Sequence, residues 1–323
     1  MIEKDRVRGA ILGTAIGDAL GMSVEGLKPS TIKKCYGRIR GYRTPNKKCR
    51  SPYHNLRRGQ WTDDTQLMLD IGEAIVEKGV IDYEEVVKRH LVSFNERRGW
   101  GRATTQSIQR IISGAKWWES GELGAAGNGP PMKIAPIGVL YGAEFINEYE
   151  LTTISTNLSR MTHMDPRPNV ASVIQSMLIG AGLKHGLGGL KHALEMSYGY
   201  ATVFEPFLAH HSTERLGPVL YRALNMTQST DEEIRKEIGA RAFVNESFPF
   251  TCALVLKYCD DLELCMENII NQGGDADTTG AMAGAMLGAA YGYSKFPRRW
   301  KRGLEDKKRL LTLADNLWKM VNK

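Results

Sequence analysis

Apolar residues recur at three- and four-residue spacing over 5–21, 65–78, 82–97, 103–118, 168–184, 231–239, 247–258, 261–271, 279–292 and 303–321. That spacing is the period of an amphipathic helix. Runs alternating apolar and polar residues, as a half-buried strand would, are few, and they never interleave with helices in a βαβ rhythm. The pattern predicts an all-α fold. Between the helical runs, 26–60 and 119–136 read as long loops, rich in glycine and proline, the first also in basic residues. Neither has the look of a flexible linker, so a single compact multi-helix domain over 1–323 is expected, with two long functional loops.

Two of the predicted helices share an uncommon stripe. The first carries Gly9, Gly13, Gly17 and Gly21, and a late one carries Gly280, Gly284, Gly288 and Gly292. Each glycine inside a helix costs about 1 kcal/mol against alanine, so four on one face need a compensating contact. A four-residue period aligns them where two backbones can approach closely. Asp18 and the short lengths argue against a membrane reading. Packing of the two helices on each other would bring "GDAL" near "GGDAD".

Composition adds limits. The 323 residues are 42% hydrophobic, which is ordinary for a globule, and no stretch approaches the ~20 apolar residues of a membrane span. The charged start "MIEKDRVRGA" is unlike a signal peptide. Cys35, Cys49, Cys252, Cys259 and Cys265 are odd in number and form no CxxC pair. Reduced thiols and a cytoplasmic location are therefore expected rather than a disulfide framework or a zinc site. The net charge of +7 is concentrated at 28–58, which holds eleven Lys and Arg (Arg50 among them) and no acidic residue, and at "KFPRRWKR", 295–302. Such clusters attract phosphates or nucleic acid, but for the charges alone a solvated loop on a basic protein is the preferred reading over a nucleic-acid site.

The acidic chemistry lies at two predicted helix starts, "WTDDTQ" and "GGDADTTG". Thr62 reads as a cap with Asp63 and Asp64 in the first turn, and Asp277 or Thr278 reads as the cap of the other. Capping alone explains either segment. Together, four carboxylates and two threonines exceed what capping needs, and clustered carboxylates are driven towards protonation unless a cation sits among them. Oxygen ligands without Cys or His favour Mg²⁺, Mn²⁺ or Ca²⁺. The divergence of Asp63 from Asp64 suits two neighbouring ions, and Gly273–Gly274 give the Asp275–Asp277 turn its freedom.

These residues resemble the ADP-ribosylglycohydrolase family, through "GAILGTAIGDALGMSVEG" (9–26), "GQWTDDTQLML" (59–69), "GNGPPMKIAPIG" (127–138), "MTH" (161–163), "NQGGDADTTGAMAGAMLGA" (271–289) and "FPRRWKRGLEDKKRL" (296–310). The resemblance implies an all-α fold and a centre of two divalent cations, Mg²⁺ or Mn²⁺. It further implies cleavage of the glycosidic bond between ADP-ribose and an acceptor, arginine or serine of an ADP-ribosylated protein or a small ADP-ribose conjugate. Residue by residue, it assigns Thr62, Asp63, Asp64, Asp275, Asp277 and Thr278 to the metal site and Glu25, Asp64 and Asp277 to catalysis. Asn128, Gly129 and Met132 fall in the loop that holds the ADP-ribose body, where Pro130, Pro131 and Lys133 depart from the family's usual residues. His163 matches a Thr-His step, with a structural histidine and a ligand contact as equal readings. The glycine loop 99–107 reads equally as backbone amides for a phosphate at a helix start and as an ordinary glycine loop with a threonine cap. Trp117–Trp118 read as core, and His210–His211 as solvated surface. Two further readings remain open: a non-catalytic ADP-ribose-binding module on the same fold, and a two-metal phosphoesterase that the basic patches would serve, with nucleic acid as its partner.

Overall fold

A computed structural model describes residues 1–49, 51–208 and 214–322; Arg50 and His210–His211 lie outside the described residues. Sixteen α-helices run along them: α1 (Lys4–Gly21), α2 (Pro29–Tyr36), α3 (Asp63–Lys78), α4 (Tyr83–Phe94), α5 (Arg102–Ile112), α6 (Gly129–Met132), α7 (Ala135–Gly142), α8 (Glu148–Arg160), α9 (Pro166–Leu208, broken at Gly186), α10 (Leu216–Leu224), α11 (Asp231–Ile238), α12 (Val244–Tyr258), α13 (Leu262–Asn271), α14 (Ala276–Tyr291), α15 (Arg298–Arg302) and α16 (Lys307–Val321). One short parallel pair, β1 (Glu122–Leu123) with β2 (His163–Met164), sets Glu122 opposite His163. The all-α expectation holds.

At the centre α1 lies against α14, glycine on glycine. A Cβ added at Gly9, Gly13 or Gly17 would overlap the carbonyl oxygen of Gly288, Gly284 or Gly280 respectively, and the reverse substitutions would meet the same clash. Dispersion and carbonyl contacts at this separation offset the propensity cost of the glycines. Around this pair α9 covers α14, α16 covers α1 and α3, and α12 and α13 close the other side. Residues 4 to 21 are buried almost throughout, so the apolar first helix is a core helix. Among the described residues no single helix is long and apolar enough to cross a membrane.

Several elements depart from the periodicity. The loop 26–60 contains α2, where Pro29 starts the helix but only Ile32 is buried, too little to show as a stripe. The loop 119–136 contains β1 and α6, and α7 begins within it. In α10 the buried Leu216, Val219, Leu220, Ala223 and Leu224 have full helical spacing, masked in sequence by Gly217 and Pro218 in its first turn. The helix expected at 303–321 is α16, which starts later, at Lys307, and the short α15 precedes the expected range. Trp117 packs on Tyr83 with ring centroids 4.5 Å apart, but Trp118 is exposed, so only the first belongs against the core.

The thiols also need correction. Cys35 and Cys49 are joined in a disulfide, which links α2 to the loop before α3. The expectation of reduced thiols holds for the buried Cys252, Cys259 and Cys265 and fails for this pair. The parity of five cysteines excluded complete pairing, not a single bridge.

Candidate metal centre and cleft

The end of α1 and the 3-10 turn after it, Met22–Val24, deliver two carboxylates, Asp18 and Glu25, to the starts of α3 and α14. Thr62 and Asp275 are the N-cap residues of those helices, yet neither side chain caps its own helix. The caps come from elsewhere. Both oxygens of Asp18 accept from the Thr62 backbone N–H (2.9 and 3.0 Å), and Asp18 also accepts from the Thr65 N–H (3.1 Å) and the Thr65 hydroxyl (2.6 Å). Glu25 accepts from the first N–H of α14, that of Ala276, at 2.8 Å. Thr62 is thus the N-cap residue expected, without a capping bond from its side chain, whereas at α14 the N-cap is Asp275 and not Asp277 or Thr278. Cross-capping frees the side chains of the first turns to point at one another.

The turn before α14 is held as firmly. Gly273 and Gly274 take φ of +62° and +73°, a region glycine enters without strain. Gly26 donates to the Gly274 carbonyl and Gly274 donates to that of Leu27, so the turn is laced to the segment carrying Glu25. Asn128 donates to Asp275 at 2.8 Å and lies 2.9 Å from the Ser247 hydroxyl.

Two carboxylate groups result, sharing Asp277. Oxygens of Asp18, Asp64 and Asp277 lie within 4.8 Å of one another, as do those of Glu25, Asp275 and Asp277. The Thr62 hydroxyl sits 2.9 Å from Asp18, 3.2 Å from Asp64 and 3.3 Å from Asp277, and its one proton serves only one of them. Among the described residues no lysine or arginine forms an ion pair with any of these carboxylates; the buried Lys133, which feels the charge of Asp63 and Asp70, has an Nζ without a hydrogen-bond partner, and burial pushes its pKa down to about 8. Burial, reinforced by mutual repulsion, raises the pKa of Glu25, Asp63 and Asp64 well above the usual range and that of Asp275 to about 8. Burial also raises Asp277, and brings Asp18 to about 6 against its hydrogen bonds. Asp64 Oδ1 is buried without any partner. An orphaned carboxylate oxygen inside such a cluster fits a hard divalent cation.

The cluster opens into a cavity of about 390 Å³. Glu25, Asp63, Asp275, Asp277 and Thr278 line it together with Gly99, Arg102, Thr104, Asn128, Gly129, Met132 and His163. Thr62 and Asp64 stand behind this lining, beside Asp18. Thr278 reaches Met132 Sδ at 3.7 Å. His163 is buried beneath Gly127 and Gly129 and bonded through Nδ1 to the Thr162 hydroxyl at 2.8 Å; burial, with Lys133 nearby, lowers its pKa to about 3, so the ring is neutral. It both packs the loop and lines the cleft. Two residues of the site escaped the sequence reading. Asp18 was visible as a lone charge on a buried glycine stripe. Tyr53, which overhangs the cleft against Gly99, had no signal beyond an aromatic in a basic loop.

Comparison with known proteins agrees over the full length. The family model described as ADP-ribosylglycohydrolase matches residues 1–323. The chain is similar to the ADP-ribosyl-[dinitrogen reductase] glycohydrolase of Rhodospirillum rubrum, 28% identical over 94% of this chain and 91% of that one. It is also similar to the ADP-ribosylarginine hydrolase Tri1 of Serratia proteamaculans, 25% identical over 98% of this chain and 80% of the relative. A solved structure titled ADP-ribosylglycohydrolase-related protein complex superposes with a TM-score of 0.76 at 30% identity, covering 98% of both chains. With the fold, the paired acidic turns and this full-length match together, the chain belongs to the ADP-ribosylglycohydrolase family.

Proposed function

We propose that the protein is a metal-dependent hydrolase that cleaves the glycosidic bond between ADP-ribose and an acceptor, an arginine or serine of an ADP-ribosylated protein. The observation that carries this reading is the pair of buried carboxylate groups sharing Asp277, without an ion-paired base, at the base of an open cleft. Thr62, Asp63, Asp64, Asp275, Asp277 and Thr278 would hold two divalent cations, Mg²⁺ or Mn²⁺. Such ions, when bound, neutralise the carboxylates, fix sugar hydroxyls and acidify a bound water.

The residues of the chain supply the rest. Asn128 fixes Asp275 by its amide, so that carboxylate presents its remaining lone pairs to the cleft. Glu25 lines the cleft at the edge of the cluster, and burial, reinforced by Asp277 and Asp275, raises its pKa above that of an ordinary glutamate. We assign it the general-base role at the anomeric carbon, where an oxocarbenium-like state develops. The N-terminus of α5, from Gly101, offers its free amides to the diphosphate. Gly129 and Met132 form the floor under the ribose, with His163 as a neutral wall.

Release of ADP-ribose from arginine-linked and serine-linked peptides, with and without chelator, tests the assignment. Asp277→Ala should lower turnover by at least ~100-fold in added Mn²⁺, since Asp277 belongs to both carboxylate groups. Turnover that persists in chelator, or in that variant, would remove the metal from the reading.

A further inference from the structure

The two basic segments that the sequence shows far apart converge in the fold. Arg40, Arg43 and Arg58 come from the loop before α3, Arg299 and Arg302 from α15, and all five line one cavity of about 750 Å³ beside Tyr42. This cavity shares no lining residue with the acidic cleft.

Its walls are built rather than accidental. The Arg40 carbonyl accepts from Arg299 Nε at 2.7 Å and from the Trp300 indole at 2.9 Å, and the Tyr42 hydroxyl donates to the Trp300 carbonyl at 2.7 Å. Gly59, at φ +81°, leaves no room for a side chain against the Gly303 carbonyl and the Tyr42 ring. These contacts fix the spacing of arginines separated by over 240 positions. The one carboxylate on the rim, Glu263, is already paired with Arg299, and Glu267 beneath takes Arg38, Arg299 and, at 4.0 Å, Arg40. No hydrogen bond or ion pair engages the side chains of Arg43, Arg58 and Arg302 among the described residues. Guanidinium groups held at such density repel unless an anion joins them. Their planar forks match phosphoryl oxygens two at a time, which lysine does not do. The volume is that of a small-molecule site, and a single concavity is unlike the extended track that a nucleic-acid strand needs.

We propose that this arginine cavity binds an oligophosphate, two or more linked phosphoryl groups, as a second ligand site separate from the hydrolytic cleft. The source is either a free polyphosphate or the diphosphate of a nucleotide.

Equilibrium dialysis of the intact protein with labelled tripolyphosphate and, separately, ADP-ribose tests the site. The comparison is between wild type, Arg43→Glu/Arg302→Glu, and Lys33→Glu/Lys34→Glu, which makes the same net charge change on α2. Tripolyphosphate should bind one equivalent to wild type and the α2 variant and at least ~10-fold more weakly to the cavity variant, with all three equally folded by circular dichroism. A second equivalent of ADP-ribose, lost only in the cavity variant, assigns the site to nucleotides. One equivalent beside intact tripolyphosphate binding assigns it to free oligophosphate. Equal weakening in both variants, no binding to wild type, or preference for a single-stranded oligonucleotide over tripolyphosphate would overturn the proposal. Should the cavity variant unfold, Arg43→Gln/Arg302→Gln against Lys33→Gln/Lys34→Gln makes the same comparison.

Discussion

Asp18 shows how much one side chain can organise. It makes no contact with the open cleft, yet it orders the start of α3 by accepting from Thr62 and Thr65. In Asp18→Asn, one oxygen becomes an amide that must face donors, and a buried donor left unpaired costs about 1–3 kcal/mol. Urea unfolding should show that loss, and more chelator-sensitive activity should accompany it as the TDDT turn loosens; unchanged midpoints would show the caps to be redundant. The titration of the cluster makes a second expectation. Asp275 rises from the ordinary 3.8 to about 8 and Asp18 to about 6, so between those values the folded state binds more protons than the unfolded one. Stability without metal is then full at acid pH and falls as pH climbs from about 4 to about 8. Added Mg²⁺ or Mn²⁺ should restore the melting temperature chiefly at the alkaline end, and a profile flat in both conditions would contradict the cluster's electrostatics.

Among elements, α1 and α14 set the strictest demand. Gly284→Ala would drive a methyl into the Gly13 carbonyl, and overpacking at a backbone contact costs about 1–3 kcal/mol or more. The same substitution at Gly199, in α9 with nothing within 4 Å of its added Cβ, should stabilise by up to about 1 kcal/mol. Chemical denaturation of the two variants reads both signs. This pairing was legible because glycine at a strict four-residue period has few other uses. The acidic turns were legible because their residue types are costly to bury without purpose. What stayed hidden were features that depend on contacts across the chain. The caps of α3 and α14 are supplied by α1 and its following turn, which no local pattern encodes. The run read at 168–184 covers only the first half of α9, which breaks at Gly186 (φ +64°, ψ −149°), and the helical stretch beyond that break was not among the periodic runs.

For the molecule as a whole, the segment between α2 and α3 joins the disulfide to the cleft. It is tied to α2 by the Cys35–Cys49 bridge and by Tyr36, whose hydroxyl accepts from the Asn46 N–H at 2.7 Å, and it places Tyr53 over the cleft. A bridge across 14 residues restrains the unfolded chain by roughly 3 kcal/mol in the entropic account. Cys49→Ser, or reduction with a dithiol, should speed limited proteolysis within 40–58 and raise KM more than it lowers kcat. Equal cleavage rates for both redox forms would show that the bridge does not hold the loop.

The contact of α1 with α14 has one further consequence. Asp18 and Asp277 ride on helices whose main chains touch, so neither half of the centre can slide without carrying the other. Under the proposed function, admission of an acceptor would then be managed at the rim. Grafting a longer segment between Arg43 and Tyr53 should change which acceptors are accepted while the carboxylates keep their places.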